Sequence, residues 1–237
     1  MPRGVYALAA LVSCVVSAAE EPPAPASQQS ILPVREVGIG FGLGLELTPD
    51  GWNGRQATTN GLLRLQVAWA PLDWLEISFF MPGVSVLLGT RQRDEVLLSG
   101  GIDAMGYGSV EGFIVVPAAG VSYRHWFSSA TSLGVSGNFR GQYSKVEPLQ
   151  ELSGSVFLTQ TVGGVVSFNL ALGAAGWPSD SFALTFGSAR LGTRNLPLFR
   201  VHLSDVWSFD LDARLILRLS PQTLVAQQYV MGFTAIW

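Results

Sequence analysis

The last eleven residues of the chain, 227–237, alternate strictly between two sets of side chains. One set is almost wholly apolar or aromatic, and it comprises Tyr229, Met231, Phe233, Ala235 and Trp237. The other set is mixed, and it comprises Gln228, Val230, Gly232, Thr234 and Ile236. Successive side chains of a β-strand point to opposite faces, so this pattern predicts a strand with one apolar face. Chain termini fray unless something holds them, so we expect this strand to be held in a sheet.

The first clear strand covers residues 37–47, where apolar side chains occupy every odd position from Val37 to Leu47. Its length fits the roughly 9–11 residues with which a tilted strand crosses a bilayer. Four glycines share the opposite face, namely Gly38, Gly40, Gly42 and Gly44. Either large side chains from across the interior fill the space beside these glycines, as in small barrels, or the glycines line an open passage.

Alternation predicts ten strands in the whole chain. Their ranges are 37–47, 63–69, 75–81, 112–127, 131–143, 152–174, 182–190, 198–203, 207–219 and 227–237. Residues 152–179 carry no charge, but the alternation of large apolar with small or polar residues after Val166 favours a long strand over a membrane-spanning helix. Residues 82–108 are interpreted as a long exterior loop. The alternative is twelve strands, with two more drawn from residues 82–110.

A soluble β-sandwich would have to hide the apolar face of nearly every strand in one core. Hydrophobic residues make up 48% of the chain and charged residues only 13%, which is apolar for a soluble protein of this size. In a lipid bilayer the apolar face is simply the outer surface, and closure of the sheet satisfies every backbone hydrogen bond. The sequence therefore predicts an all-β fold, a transmembrane antiparallel up-and-down β-barrel of about ten strands.

The final strand, with its terminal aromatic Trp237 and apolar residues at alternate positions before it, resembles the closing strand of bacterial outer-membrane β-barrels. The resemblance extends over the mature chain but is architectural, and it indicates no specific family. It implies a protein of the bacterial outer membrane with both termini in the periplasm. It also implies contact with outer-membrane lipid and insertion by the barrel-assembly machinery.

The N-terminal segment reads as an export signal over residues 1–19, with Arg3, an apolar run and a small-residue cleavage site ending at Ala19. The alternative is a lipoprotein signal, because Leu11-Val12-Ser13-Cys14 resembles a lipobox whose cysteine would be acylated. Residues 20–34 are proline-rich at their start and are predicted to be a disordered periplasmic lead-in. The barrel is then expected to occupy residues 35–237.

Six of the seven tryptophans lie beside a predicted short turn or the C-terminus: Trp69, Trp74, Trp126, Trp177, Trp207 and Trp237. Indole prefers the membrane boundary, where one edge of the ring is apolar and its N–H stays in contact with water. We therefore predict an aromatic belt at the periplasmic interface. Simple alternation would point Trp126 inward instead.

The inward face of the strands carries charges of both signs: Glu46, Arg64, Glu76, Arg124, Arg140, Asp210, Asp212, Arg214 and Arg218. One interpretation is structural, with acids and arginines paired across a narrow lumen where an unpaired charge would be costly. The other is a charged constriction that selects ions or small solutes.

The spacing of His202 and Ser204 is similar to the His-x-Ser of outer-membrane lipid A deacylases, which would imply a histidine that activates a serine for acyl transfer. The next residue is Asp205, where such enzymes typically have asparagine. The pair also lies beside a turn assigned to the periplasm, the wrong leaflet for lipid A. A lipid A-modifying hydrolase is thus a remote alternative.

The sequence predicts a small barrel that acts as a structural or docking component of the cell envelope, presenting its loops, chiefly residues 83–108, to other envelope proteins. The alternative is a narrow, porin-like channel for ions or small solutes. We predict no enzymatic activity, no cofactor and no metal site. With a net charge of -3 and no basic run, we expect no nucleic-acid partner.

Overall fold

A computed structural model of the chain describes residues 32–51, 56–79, 82–88, 93–106, 113–142, 149–177, 181–219 and 222–237. Within these ranges, no helix is long and apolar enough to cross a membrane. The strands in chain order are β1 (Val37–Thr48), β2 (Thr58–Leu72), β3 (Leu75–Ser78), β4 (Gly83–Leu87), β5 (Asp94–Gly106), β6 (Phe113–Trp126), β7 (Thr131–Gln142), β8 (Leu149–Val162), β9 (Val166–Trp177), β10 (Ser181–Gly187), β11 (Ala189–Leu191), β12 (Arg194–Leu196), β13 (Phe199–His202), β14 (Trp207–Arg218) and β15 (Leu224–Ile236). The predicted signal segment, with Cys14, and most of the predicted lead-in lie outside the described residues.

The first and last long strands close the sheet into a barrel. Thirteen strands form one continuous antiparallel sheet. β1 pairs with β2 on one side and with β15 on the other, and β15 continues to β14. In the β1–β15 register Phe41 lies opposite Phe233, and Leu43 lies opposite Met231. The prediction of a closed, all-antiparallel β-barrel is confirmed.

The barrel wall has twelve positions. β10 pairs with β9 and β14 toward one end of the barrel, and β13 pairs with the same two strands toward the other end. These two short strands therefore lie end to end in one position, so thirteen strands fill twelve positions. The prediction of ten strands is wrong and the alternative of twelve is correct, because residues 82–106 contribute β4 and β5 instead of a long loop. The predicted strand 152–174 is two strands, and the predicted strands 182–190 and 198–203 share one wall position, so these two differences cancel in the count.

The predicted long strand over residues 152–174 is also wrong, because the chain turns at Gly163 and Gly164. Both glycines have positive φ, 59° and 69°. This is the backbone that a type I′ hairpin turn requires at its two central residues, and glycine adopts it without steric cost. β8 and β9 therefore pair with each other as a hairpin, with Val162 opposite Val166.

The outer surface of the barrel is apolar along every long strand. Leu63, Leu152 and Leu170 are at least 60% exposed, and they belong to a large set of exposed leucine, valine and aromatic side chains. An apolar surface of this extent marks contact with another apolar phase, and in a closed barrel that phase is lipid. The opposite face of the same strands carries the glycines and polar residues, as the alternation predicts.

Both ends of the described chain lie at one end of the barrel, here called the terminus end. The N–H of Val37 donates to the carbonyl of Trp237 at 2.8 Å. The up-and-down order then places the β2–β3, β4–β5, β6–β7, β8–β9 and β13–β14 links at the terminus end as well. The remaining links lie at the opposite end, here called the far end.

A hairpin made of β11 and β12 folds into the lumen between β10 and β13. It leaves the wall at Gly187, whose φ of 121° and lack of a side chain are both required, because a Cβ there would overlap the carbonyl oxygen of Ala213. Its tip, Gly192 and Thr193, reaches β4, where the Thr193 N–H donates to Ser85 Oγ at 3.2 Å. β4 is six wall positions away from β10 in both directions, so the hairpin crosses the full diameter of the barrel.

One side of this inward hairpin is apolar and packs against the wall. Leu191 and Leu196 form a buried cluster with four wall residues, Leu87, Leu97, Phe157 and Ala171. Those residues belong to β4, β5, β8 and β9. The hairpin is therefore sealed against that half of the barrel.

An apolar side chain from the segment before β1 enters the lumen at the terminus end. Leu32 is only 1% exposed and packs with Ala68, Ala70 and Ile236. Leu32 belongs to the predicted lead-in, of which residues 20–31 lie outside the described part. Leu32 is held because its N–H donates to Glu76 Oε2 at 2.9 Å, which satisfies a backbone donor that water no longer reaches.

Candidate functional site in the barrel lumen

The lumen contains a cavity of about 370 Å³ between the inward hairpin and the far end. Its lining comes from the inward faces of the wall strands and from the hairpin, including Gly192 and Asn195. The charged residues in the lining are four arginines and two carboxylates, namely Arg64, Arg140, Arg190, Arg214, Glu151 and Asp212. The described part of the cavity wall therefore carries an excess of two positive charges.

Both carboxylates of this cavity are engaged by arginines. Arg140 Nη2 donates to Glu151 Oε2 at 2.7 Å, and the two residues lie opposite each other in the β7–β8 register. Arg64 forms an ion pair with Asp212 at 2.5 Å. The second pair joins β2 to β14, which are separated in the wall by β1 and β15.

Arg64, Arg140 and Arg190 each make a hydrogen bond or an ion pair, whereas Arg214 makes neither with the described residues. Its Nε is buried and has no hydrogen-bond partner among the described residues. It lies within electrostatic reach of Glu151, Arg140, Asp212 and Arg190. A buried donor without a partner costs free energy, so this side chain does not stabilise the barrel through its Nε.

A second, narrower cavity of about 40 Å³ lies beside the hairpin, along the glycine face of β1. By volume it holds about three water molecules. Its lining includes Gly38, Gly40 and Gly42 of β1 and Gly232 of β15, together with Arg194, Asn195 and Pro197 from the hairpin side. The glycine face thus borders a narrow space at Gly40, whereas at Gly42 the Val230 side chain approaches closely.

The narrow cavity also has more positive than negative lining charges: Arg64, Arg194 and Arg200 against Asp210. Arg200 donates two parallel hydrogen bonds to the Asp210 carboxylate, from Nε at 2.6 Å and from Nη2 at 2.7 Å. Such a bidentate pair fixes both side chains. Thr234 Oγ1 donates a further 2.7 Å bond to the same carboxylate.

Two buried charged residues near the terminus end have a structural role. Glu76 is fully buried and accepts hydrogen bonds from Leu32 and from Thr193 Oγ1, with Arg194 3.9 Å away. Arg124 is also fully buried. It donates to the hydroxyls of Ser132 and Thr159, and its guanidinium lies 4.0 Å over the ring of Trp126. These contacts tie the hairpin and the wall together.

All nine charged residues predicted for the lumen lie on wall strands, on the face opposite the exposed apolar side chains. The prediction missed four that matter here, namely Glu151, Arg190, Arg194 and Arg200. The predicted strand 152–174 begins one residue after Glu151, and Arg190 and Arg194 lie in a hairpin where alternation predicts only a strand end and a loop. The signal for that hairpin is a two-residue turn with glycine in its first position, Gly192-Thr193.

The predicted tryptophan belt needs two corrections. Trp126 is 5% exposed and lies in the lumen beneath Arg124, as alternation alone would have it. Trp177 is the last residue of β9, which ends at the far end of the barrel. The structure places four exposed tryptophans at the terminus end: Trp69, Trp74, Trp207 and Trp237.

The His-x-Ser pair is not assembled as a nucleophile and base. Ser204 Oγ accepts hydrogen bonds from the N–H groups of Val206 and Trp207, at 3.3 and 3.0 Å, and so caps the β13–β14 turn. His202 Nε2 is 3.0 Å from Ser167 Oγ on the neighbouring strand. Activation of a serine needs a direct hydrogen bond to its base, and none joins these two residues.

No protein-family model matches the sequence, and no curated protein is similar to it in sequence. Solved structures with a similar course of the chain include the NanC porin, at 10% identity and a TM-score of 0.46, which covers 85% of this chain and 99% of that one. The CymD monoaromatic hydrocarbon channel has 9% identity and a TM-score of 0.48, with 86% and 88% covered. The toluene transporter TbuX of Ralstonia pickettii has 6% identity and a TM-score of 0.41, with 89% and 92% covered.

At these values the similarities carry no information about what this chain binds or transports. The assignment of the class rests instead on the closed sheet, its apolar outer surface and its aromatic last strand. This protein is a β-barrel of the bacterial outer-membrane type.

Proposed function

We propose that this chain is a narrow outer-membrane channel for ions or small solutes, constricted by its inward hairpin. The observation that carries the proposal is that the two cavities adjoin. Both are lined by Arg64, Gln66, Asn195 and Val230, so only side chains at the hairpin separate the space in the far half from the narrow space along the glycine face of β1.

The asymmetry of the hairpin supports this route. Its apolar side chains pack against β4, β5, β8 and β9, while Arg194 and Asn195 border the narrow cavity beside β1, β2 and β15. The hairpin therefore leaves a polar, arginine-lined gap on one side and closes the lumen with apolar contacts on the other, which fits a restricted passage better than a solid plug.

The alternative hypothesis of a docking protein depended on an exterior loop that the structure does not contain among the described residues. It required residues 83–108 to form a long exterior loop, and most of these residues belong to β4 and β5 in the wall. The structural role is therefore the weaker of the two functions.

We also infer that the terminus end faces the periplasm. Short links at that end support this, since the β2–β3 and β8–β9 turns contain two and three residues, whereas the β1–β2 link at the far end contains nine. Outer-membrane barrels have short periplasmic turns and longer exterior loops. The four exposed tryptophans at the terminus end support the same orientation.

The proposal predicts discrete conductance of the refolded protein in planar bilayers, and a loss of that conductance in Gly40→Leu. A Cβ at Gly40 would meet Thr234 Oγ1 at 3.5 Å and Gln66 Cβ at 3.6 Å, which are ordinary contacts. The variant should therefore fold while its side chain fills a space of about three waters.

The matched control is Gly61→Leu, which makes the same replacement in the neighbouring strand. Gly61 is exposed, lies opposite lipid-facing Leu45 and has nothing within 4 Å of an added Cβ. Its conductance should equal that of the unmodified protein. A protein that inserts but never conducts, or a Gly40→Leu variant that conducts as well as the control, would refute the channel.

A further inference from the structure

We propose that the larger cavity contains a binding site for a small oxyanion, a solute with a carboxylate or phosphate group, centred on Arg214 with Arg140 and Arg190 beside it. The inference names the solute class for the proposed channel. It rests on that channel only for the route by which the solute arrives, because binding is measured without conduction.

The first support is the state of Arg214 itself. Its guanidinium lies on the inward face of β14, with the Nε buried and without a hydrogen-bond partner among the described residues. A charged donor in such a place is costly unless a counter-charge arrives. An anion in the cavity would supply both the missing charge and the missing acceptor.

The second support is that the nearby carboxylates are already engaged. Glu151 accepts from Arg140 at 2.7 Å, and Asp212 is paired with Arg64. Asp212 Oδ1 is buried without a hydrogen-bond partner, so a direct Arg214–Asp212 pair is the competing structural explanation. That pair is absent although the two residues are neighbours on one face of β14.

The third support is the charge of the cavity as a whole. Four arginines face two carboxylates in the lining, and the surrounding barrel is a medium of low dielectric constant. A cavity lined by an excess of one sign concentrates solutes of the opposite sign. The site therefore selects anions over neutral solutes and cations.

The chemistry of the lining narrows the class to oxyanions. Guanidinium groups present planar forks of N–H donors that match carboxylate and phosphate oxygens in pairs. Neutral hydrogen-bonding side chains complete the lining of the cavity, including Thr185, Ser188 and Asn138. A volume of about 370 Å³ lies within the range of roughly 300–1,000 Å³ that small-molecule sites occupy.

The test is calorimetric titration of the refolded full chain in detergent with inorganic phosphate, and separately with acetate, against sodium chloride at matched ionic strength. Heat of binding is expected with both oxyanions and not with chloride alone. Arg214→Gln should weaken binding by roughly ten- to a hundredfold, the effect of losing a charge-assisted hydrogen bond.

The control is Arg218→Gln, which removes the same charge from the same face of β14, two inward positions farther along and outside the cavity lining. Its affinity for phosphate should change by less than about threefold, because a screened distant charge contributes little. Equal weakening in both variants would overturn the site and leave only a general field effect.

Thermal unfolding without added anion separates binding from a structural role. Arg214→Gln should unfold at the same temperature or higher, because it removes a buried Nε that lacks a hydrogen-bond partner among the described residues. A lower unfolding temperature would show that Arg214 pairs with Asp212, and it would overturn the proposal. Phosphate binding without any conductance would contradict the channel but support the site.

Discussion

Glu76 joins three parts of the interior that are far apart in the sequence. Its carboxylate accepts from the backbone of Leu32 near the N-terminus and from Thr193 at the hairpin tip, and it lies 3.9 Å from Arg194. A carboxylate with no exposed surface is tolerable only because these donors satisfy it. Glu76, on a wall strand of only four residues, thus holds both Leu32 and the hairpin tip inside the lumen.

Replacing this carboxylate by an amide should destabilise the barrel. We expect Glu76→Gln to lower the free energy of unfolding by roughly 2–4 kcal/mol, because an amide offers one acceptor oxygen and no charge to the three partners. Denaturant unfolding in detergent measures this change. Glu46→Gln is the matched control, since Glu46 is half-buried with one hydrogen bond from Gln228, and it should cost about 1 kcal/mol or less. Equal losses in the two variants would contradict the role given to Glu76.

At the residue level, the inward charges could be predicted because alternation alone decides which face a side chain occupies. The pairing of those charges could not. Arg64 and Asp212 are on strands that meet only across the closed lumen, so their contact depends on closure and on the packing of the hairpin.

Among the elements, the β11–β12 hairpin is the one that narrows the lumen, because it leaves the wall and crosses the barrel. The wall needs only two residues to connect β10 to β13. Gly187 pairs with Ala171 of β9 and Phe199 pairs with Phe168, so only two positions of β9 lie between these partners. Ser188 and Leu198 still bond to β14 and β9, and residues 189–197 are therefore an insertion.

Deleting residues 189–197 should leave a continuous wall strand. Ser188 joined to Leu198 fills the two open positions, so the barrel should still close and insert. Single-channel conductance should rise severalfold, because the element that crosses the lumen is gone. Unfolding should require less denaturant, since Leu87, Leu97 and Phe157 lose apolar contacts. An unchanged conductance in a folded deletion variant would show that the hairpin is not the constriction.

The elements that sequence reasoning found are those that face lipid on one side and the lumen on the other. β1 and β15 alternate without interruption because each face meets a different environment. The hairpin gave no such signal, because it lies inside the lumen and has no lipid-facing side. β4 was missed because only five residues cross the wall there, within a glycine-rich stretch.

On the scale of the whole molecule, closure of the sheet into a barrel creates the interior on which the lumen and its cavities depend. An open sheet with this outer surface would expose unpaired backbone groups at its edges to lipid, which a bilayer does not tolerate. Pairing of β1 with β15 removes both edges and defines an interior. The lumen, the hairpin that crosses it and the arginine-rich cavity exist only because that pairing forms.

A cross-link between the first and last strands measures this closure directly. Leu43 and Met231 are register partners that both face lipid, and directly opposed residues of antiparallel strands are about 4.5–5.5 Å apart, within the reach of a disulfide. Leu43→Cys with Met231→Cys should form a disulfide in the folded, detergent-solubilised protein. Leu43→Cys with Ala235→Cys, four residues out of register, should not. Folded protein in which the register pair fails to cross-link, or links no more than the offset pair, would contradict the closed barrel.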